Sequence, residues 1–225
     1  MSAKWIRIRL FVLLAVLIVL FATSKPGRWV LRTLFPRRTV ADVMRRYGPL
    51  AQARMNPYFQ KARVRYPPRR VALLAFKHER QLEIWAPKDG VWVHVRSYPI
   101  LGASGEPGPK LREGDRQVPE GIYRVIALNP NSHHYLSMKL DYPNEYDREK
   151  ARPDRRSKLG SDIFLHGGSG SVGCIAIGDR AIEELFVLTA RVGRSNVKVL
   201  IAPNDLRRER PVPDVQSGPP WLPEL

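Results

Sequence analysis

The stretch DIFLHGGSGSVGCIAIGD, residues 162–179, holds the only cysteine of the chain, Cys174, and a histidine, His166, eight residues before it. On either side of the glycines, DIFLH (162–166) and CIAI (174–177) have the short apolar texture of strands. Glycines at 167, 168 and 170 let the connection turn back sharply, because glycine tolerates backbone angles that other residues avoid. The missing side chains would also admit a substrate backbone. A thiol is a good nucleophile as thiolate, and a neighbouring imidazole can take its proton. Gly173, just before Cys174, suits a tight turn that aims backbone N–H groups at one point. Such donors hold the oxyanion of a tetrahedral intermediate, each worth ~3 kcal/mol. The chemistry predicted is acyl transfer through a thioester. The plainer alternative is a small packed thiol beside a packed histidine. One cysteine excludes an internal disulfide and argues against a structural zinc site, which takes two or more thiolates. No metal and no cofactor are expected.

Outward from this loop, Asp179 is placed to cap a helix over 179–192, with Ile182, Leu185, Phe186 and Thr189 on one face and Gly193 at its end. NVKVLIA (196–202) is the last strand. The tail from Pro203 has six prolines in 23 residues and is expected to be extended or disordered. Upstream, VALLAF (71–76), QLEIWA (81–86) and VWVHVRSYPI (91–100) predict a β-meander, with His94 a packed or surface strand residue. Residues 101–121 are loop-rich. Strands IYRVIAL (122–128) and YLSMKL (135–140) follow, and 141–160 is expected to be a long polar loop of functional kind. The fold class is mainly β with minor α: a mixed β-sandwich or barrel-like sheet with one prominent helix.

The charge of +17 is concentrated at the front. Residues 1–70 carry 16 Lys and Arg against one acid, Asp42, so the body is nearly neutral. That distribution speaks against a nucleic-acid binder, whose basic surface belongs on the folded domain. Lys4, Arg7 and Arg9 precede the 13-residue apolar run Leu10 to Ala22, the pattern of a signal peptide or, lengthened by Trp5, Ile6 and Ile8, of an uncleaved signal anchor. The membrane contact is assigned to residues 5–22. Thr39-Val-Ala-Asp42 opens a short helix expected to stop at Gly48-Pro49; a second would be interrupted near Asn56-Pro57. The partition is a leader or anchor at 1–24, a basic, partly helical stalk at 25–69, the domain at 70–202, and the Pro-rich tail at 203–225.

The central stretch resembles the signature of the L,D-transpeptidase (YkuD-type) family: a strand ending in His-Gly, a variable loop, then Ser-x-Gly-Cys. Here these are His166-Gly167 and Ser171-Val172-Gly173-Cys174. GPKLREGDRQVPEGIYRV (108–125) and NPNSHHYLSMKLDYPNEYD resemble the family's preceding segments, so the likeness spans about residues 70–202. Val172 stands where the commonest form has histidine, and Ala176 where it has arginine or asparagine. The chain is most similar to the murein L,D-transpeptidase and lipoprotein-detaching branch. The resemblance implies Cys174 as nucleophile, His166 as base, and the Gly167 carbonyl as the group that orients the imidazole. It further implies Ser171 as a loop or donor-binding residue, Gly173 and Cys174 N–H groups at the oxyanion, and Lys110 for a substrate carboxylate. His133 or His134 can line the cleft. The implied partners are peptidoglycan stem peptides, with wall-attached lipoprotein in the hydrolytic case. The implied place is the periplasm or the outer face of the inner membrane. The competing reading is a non-catalytic peptidoglycan-binding or scaffold protein on the same fold.

Overall fold

Along Val71–Phe76 (β1) and Val197–Ala202 (β8), alternate side chains are buried, and Val71, Leu73, Ala75, Val197, Val199 and Ile201 face one core. That period of two is what a strand with one covered face imposes. The computed structural model describes residues 3–24, 37–106, 108–208 and 221. The chain divides into two units, Met1–Arg38 and Thr39–Leu225. In the first, Ala3–Thr23 is a helix, α1, which covers the stretch expected as leader or anchor. Among the described residues, no helix is long and apolar enough to cross a membrane.

The second unit is built on an eight-stranded sheet in the order β3-β2-β1-β8-β4-β5-β6-β7. β2 (Gln81–Lys88) and β3 (Val91–Pro99) extend β1 as an antiparallel meander, and β8 runs parallel to β1 with Val71 opposite Val197. β4 (Gly121–Ser132) joins two halves: its start pairs with β8 and, past a register shift near Val125, its end pairs with β5 (Tyr135–Leu140). β6 (Phe164–His166) and β7 (Ile175–Ala176) complete the order. Gly102, just past β3, bridges Ala176 of β7, so the two ends of the sheet meet. A Cβ on Gly102 would run into the Ser169 carbonyl, which makes glycine the residue that lets the ends touch.

Two expectations about helices are corrected. The helix opened by the Thr39–Asp42 capping box does not stop at Gly48-Pro49. It runs unbroken as α2, Val40–Lys61, with Pro49 and Pro57 inside it. Each interior proline costs ~3 kcal/mol or more, but Val43, Ala51, Met55 and Phe59 on one face are buried in the common core. Residues 39–61 therefore belong to the compact unit, not to a spacer. The polar loop at 141–160 contains α3, Glu145–Ala151, started by an Asn144–Asp147 capping box. The prominent helix α4, Asp179–Val192, lies where the sequence places it and packs on α2 and β5. Its N-cap is Gly178, however, and Asp179 instead accepts the Gly168 N–H at 2.8 Å. The tail expectation falls mostly outside the described residues. Residues 203–208 return to the body, where the buried Asp205 takes Arg207, which also reaches Glu83.

The 101–120 loop is held by charge. The buried Lys77 ammonium donates to the Gly108 and Val118 carbonyls at 2.9 and 3.1 Å and to Glu120 Oε1 at 3.0 Å. Glu120 Oε1 also takes the Gly108 N–H at 2.7 Å. Removing one partner of such a pair strands a buried charge, which costs about 3–5 kcal/mol. Lys77→Met should lower the unfolding free energy by about that amount, read from the urea midpoint at constant slope.

Candidate active site

Cys174 lies immediately before β7. Its thiol is drawn onto β6: Sγ sits 3.6 Å from the Asp162 carbonyl oxygen and receives the Phe164 N–H. His166 is two residues beyond Phe164 on the same strand, about 6.6 Å of extended chain. Opposite it stands Ala176. The imidazole is buried, and its Nδ1 is 2.7 Å from the Gly167 carbonyl oxygen. A donor Nδ1–H there leaves Nε2 as the basic nitrogen.

The glycine after the histidine has a steric cause. A Cβ on Gly167 would stand 2.6 Å from Asp179 Oδ1 and 2.8 Å from the His134 carbonyl oxygen. Gly173 has a different one: its φ of 79° is a backbone angle that side chains disfavour.

Burial sets the electrostatics. It pushes the Cys174 thiol above its ordinary value; the Asp162 charge adds to this, while the Phe164 N–H and Lys110 oppose it. Burial likewise pushes the His166 imidazole below its ordinary value, with His134 adding and the Gly167 carbonyl opposing. Near neutral pH the two groups are therefore a thiol and a neutral imidazole, a donor and an acceptor.

The structure brings Cys174, His166, Gly167, Gly173 and His134 to one place. His134, at the β4–β5 turn, stacks on His166 with ring centroids 4.4 Å apart. His133 beside it is exposed. Gly173 does not offer the expected oxyanion donor: its N–H goes to Ser104 Oγ at 2.7 Å, and that hydroxyl donates to the Arg116 carbonyl. The Cys174 N–H is the remaining backbone candidate. Lys110 donates to Asp115 and to the Arg112 carbonyl, which ties its own loop, and it also lines the cavity next to Gly173. Ser171 Oγ is buried with no hydrogen-bond partner among the described residues. His94 sits far along the sheet, edge-on to Trp85.

A cavity of about 230 Å3 is lined by Gly173 and Val172, just before Cys174, with Lys110, Arg116, Asp162 and Ile163; Cys174 and His166 do not themselves line it. A larger one, about 620 Å3, lies at the start of α4 between Arg96, Asp179 and Glu184, and neither Cys174 nor His166 lines it. No group of acidic, histidine or cysteine side chains among the described residues could hold a metal ion. Sequence reading missed Ser104 and Asp179 as site supports. Ser104 is 69 residues from Gly173, and no local pattern couples the two.

A mixed sheet closed through Gly102, with a histidine on β6 and the single cysteine just ahead of the adjacent β7, defines the class: a cysteine-containing, L,D-transpeptidase-like β domain. Residues 70–201 match the family model of YkuD, the L,D-transpeptidase catalytic domain, and the chain belongs to that family. It is 36% identical over 138 residues to the protein named "Putative L,D-transpeptidase YafK" of Escherichia coli K12, and to the same-named protein of strain O157:H7, covering 59% of this chain. The chain spans about half the length of these curated relatives, 54%. Among solved structures it is similar in fold to the helical cell shape determining protein Pgp2 of Campylobacter jejuni, with a TM-score of 0.50, 23% identity, and coverage of 60% of this chain and 48% of that one.

Gly167→Ala should displace either Asp179 or the β4–β5 turn, a cost of about 1–3 kcal/mol for overpacking. Alkylation of Cys174 should slow in the same variant, followed by intact mass. An unchanged rate and unchanged stability would show that the close approach at Gly167 is slack.

Proposed function

We propose that the chain is a cysteine acyl-transfer enzyme acting on peptidoglycan stem peptides. The observation that carries this is a thiol lodged on β6 two residues from a histidine whose Nδ1 is turned to its neighbour's carbonyl. Family membership supplies the substrate class. The first half-reaction begins as Cys174 Sγ attacks the carbonyl carbon at the L-centre of the diamino acid and its proton passes to His166 Nε2. The carbonyl oxygen becomes an oxyanion, with the Cys174 N–H as donor. As the tetrahedral adduct collapses, the C–N bond breaks and the leaving amine takes the proton from His166. The thioester is then cleaved by an amine, which gives a crosslink or an attached lipoprotein, or by water, which gives trimming or lipoprotein release. His166 again takes the proton from the incoming group. In this reading the domain works outside the cytosol, and residues 5–22 act as export signal or anchor that puts the basic residues around it near anionic head groups.

A second reading is a wall-binding protein without turnover, favoured by the burial that raises the thiol above its ordinary range. Acylation separates the two. A carbapenem-type β-lactam should add its mass to wild type and not to Cys174→Ala, and purified wall material should yield altered muropeptides only with wild type. Adduct-free wild type with unaltered muropeptides would favour the binding protein.

The pH profile follows from the same groups. Only neutral His166 accepts the proton, and its affinity for protons is held below the ordinary 6.5 by burial. The acid limb of kcat/KM should therefore fall below pH 6.5, with activity still rising as pH increases through that limb. A limb centred above pH 7 would contradict a buried neutral base.

A further inference from the structure

The β4–β5 turn does more than connect two strands. His134 is exposed on it, whereas the His166 ring beneath is only 2% exposed, and the two rings lie nearly flat on each other, 26° from parallel. His134 is therefore the cover on one face of the imidazole. The turn is clamped. Tyr135, in the left-handed region at φ 74°, donates from its hydroxyl to Glu183 Oε1 of α4 at 2.7 Å and lies edge-on to Tyr47 of α2. Arg54 of α2 donates to the other Glu183 oxygen at 2.7 Å. The Gly167 N–H reaches the Leu136 carbonyl at 3.1 Å, so the residue after His166 is itself tied to this hairpin.

We propose that His134 is a positioning residue for His166: the clamped turn holds its ring against the base and fixes the base's orientation. The inference rests on the reading of His166 as the base. The charge argument is local. An imidazolium on one ring of a stacked pair disfavours a second on the other, and His134 adds to the burial that holds the His166 proton affinity down. The other titratable and charged groups around the pair are Cys174 ahead of β7, Asp179 at the start of α4, Glu183 one turn along it, Arg54 and Tyr47 on α2, and His133 and Tyr135 on the turn itself. Asp179 is occupied by the Gly168 N–H, and Glu183 by Tyr135 and Arg54.

The test uses the full chain and its single cysteine. Iodoacetamide alkylation of Cys174 is followed by intact mass from pH 5 to 9 in wild type, His134→Ala, His134→Phe and His166→Ala, with histidine ring titration by NMR alongside. His134→Ala should slow alkylation severalfold on the plateau and move the acid limb to higher pH, since His134 helps to hold the His166 proton affinity down. His134→Phe, which keeps a flat ring and removes the charge, should restore the plateau but not the full position of the limb. Should His134→Ala leave both the limb and the His166 titration unmoved while His166→Ala slows alkylation, the positioning role is overturned and the base reading stands. If His166→Ala also leaves the rate unchanged, the base reading itself fails, and the inference with it.

Discussion

The passage of the backbone through Gly167 is the constraint on which the site depends. Within a few ångströms of that α-carbon lie the first carboxylate of α4 and a carbonyl of the β4–β5 turn. The same residue's carbonyl fixes the His166 ring, and its neighbour Gly168 donates to Asp179. Helix start, hairpin turn and imidazole orientation are thus set by one close contact. Interiors packed at crystal-like density transmit such a contact without slack. A side chain here would have to move one of the three.

That contact would be idle if α4 and the turn could drift, and a second set of interactions prevents it. Glu184 of α4 is buried and receives Arg54 Nε at 2.6 Å, Arg96 at 2.7 Å and the Tyr98 hydroxyl at 2.7 Å. Three donors from α2 and β3 converge on one carboxylate, and a charge with that many partners can be buried without neutralising. Glu183, one residue on, holds the turn through Tyr135. Arg54 serves both acids. α2 lies outside residues 70–201, the span that matches the family model, yet it braces the helix on which the histidine loop rests. The extension before the family domain is therefore part of the machinery's support.

Much of this was legible in residues taken a few at a time. Strands β1 and β5 have the bounds that their apolar runs imply, and α4 ends where Gly193 stands. Each is an unbroken local pattern bounded by a turn former, which is what sequence periodicity reports. What stayed hidden is tertiary. Pro49 and Pro57 speak locally for breaks, and only the burial of Met55 and Phe59 overrides them. α3 was obscured by its polar surface, although its Asn144–Asp147 capping box was there to be read. The Gly173 N–H reads from sequence as an oxyanion donor because nothing nearby in the chain reveals the Ser104 hydroxyl that takes it. Local chemistry identifies which groups can react; only packing shows which are already engaged.

The engaged groups also explain how a neutral thiol and a neutral imidazole can serve together. A sulfur held beside a cation would stand as thiolate and be open to oxidation. Burial against β6 keeps it protonated, with the Asp162 carbonyl accepting its proton loosely at 3.6 Å. In the proposed acyl transfer, the proton would pass to His166 only as an electrophile arrives, because the developing C–S bond lowers the thiol's hold on its proton. The loop that shapes the cavity adds to this economy. Ser104 ties Gly173 to the 101–120 segment, and Lys77 with Glu120 ties that segment to the end of β1. The cavity wall that Gly173 supplies is thereby anchored to the far half of the sheet, by the same contacts that tie the 101–120 segment down.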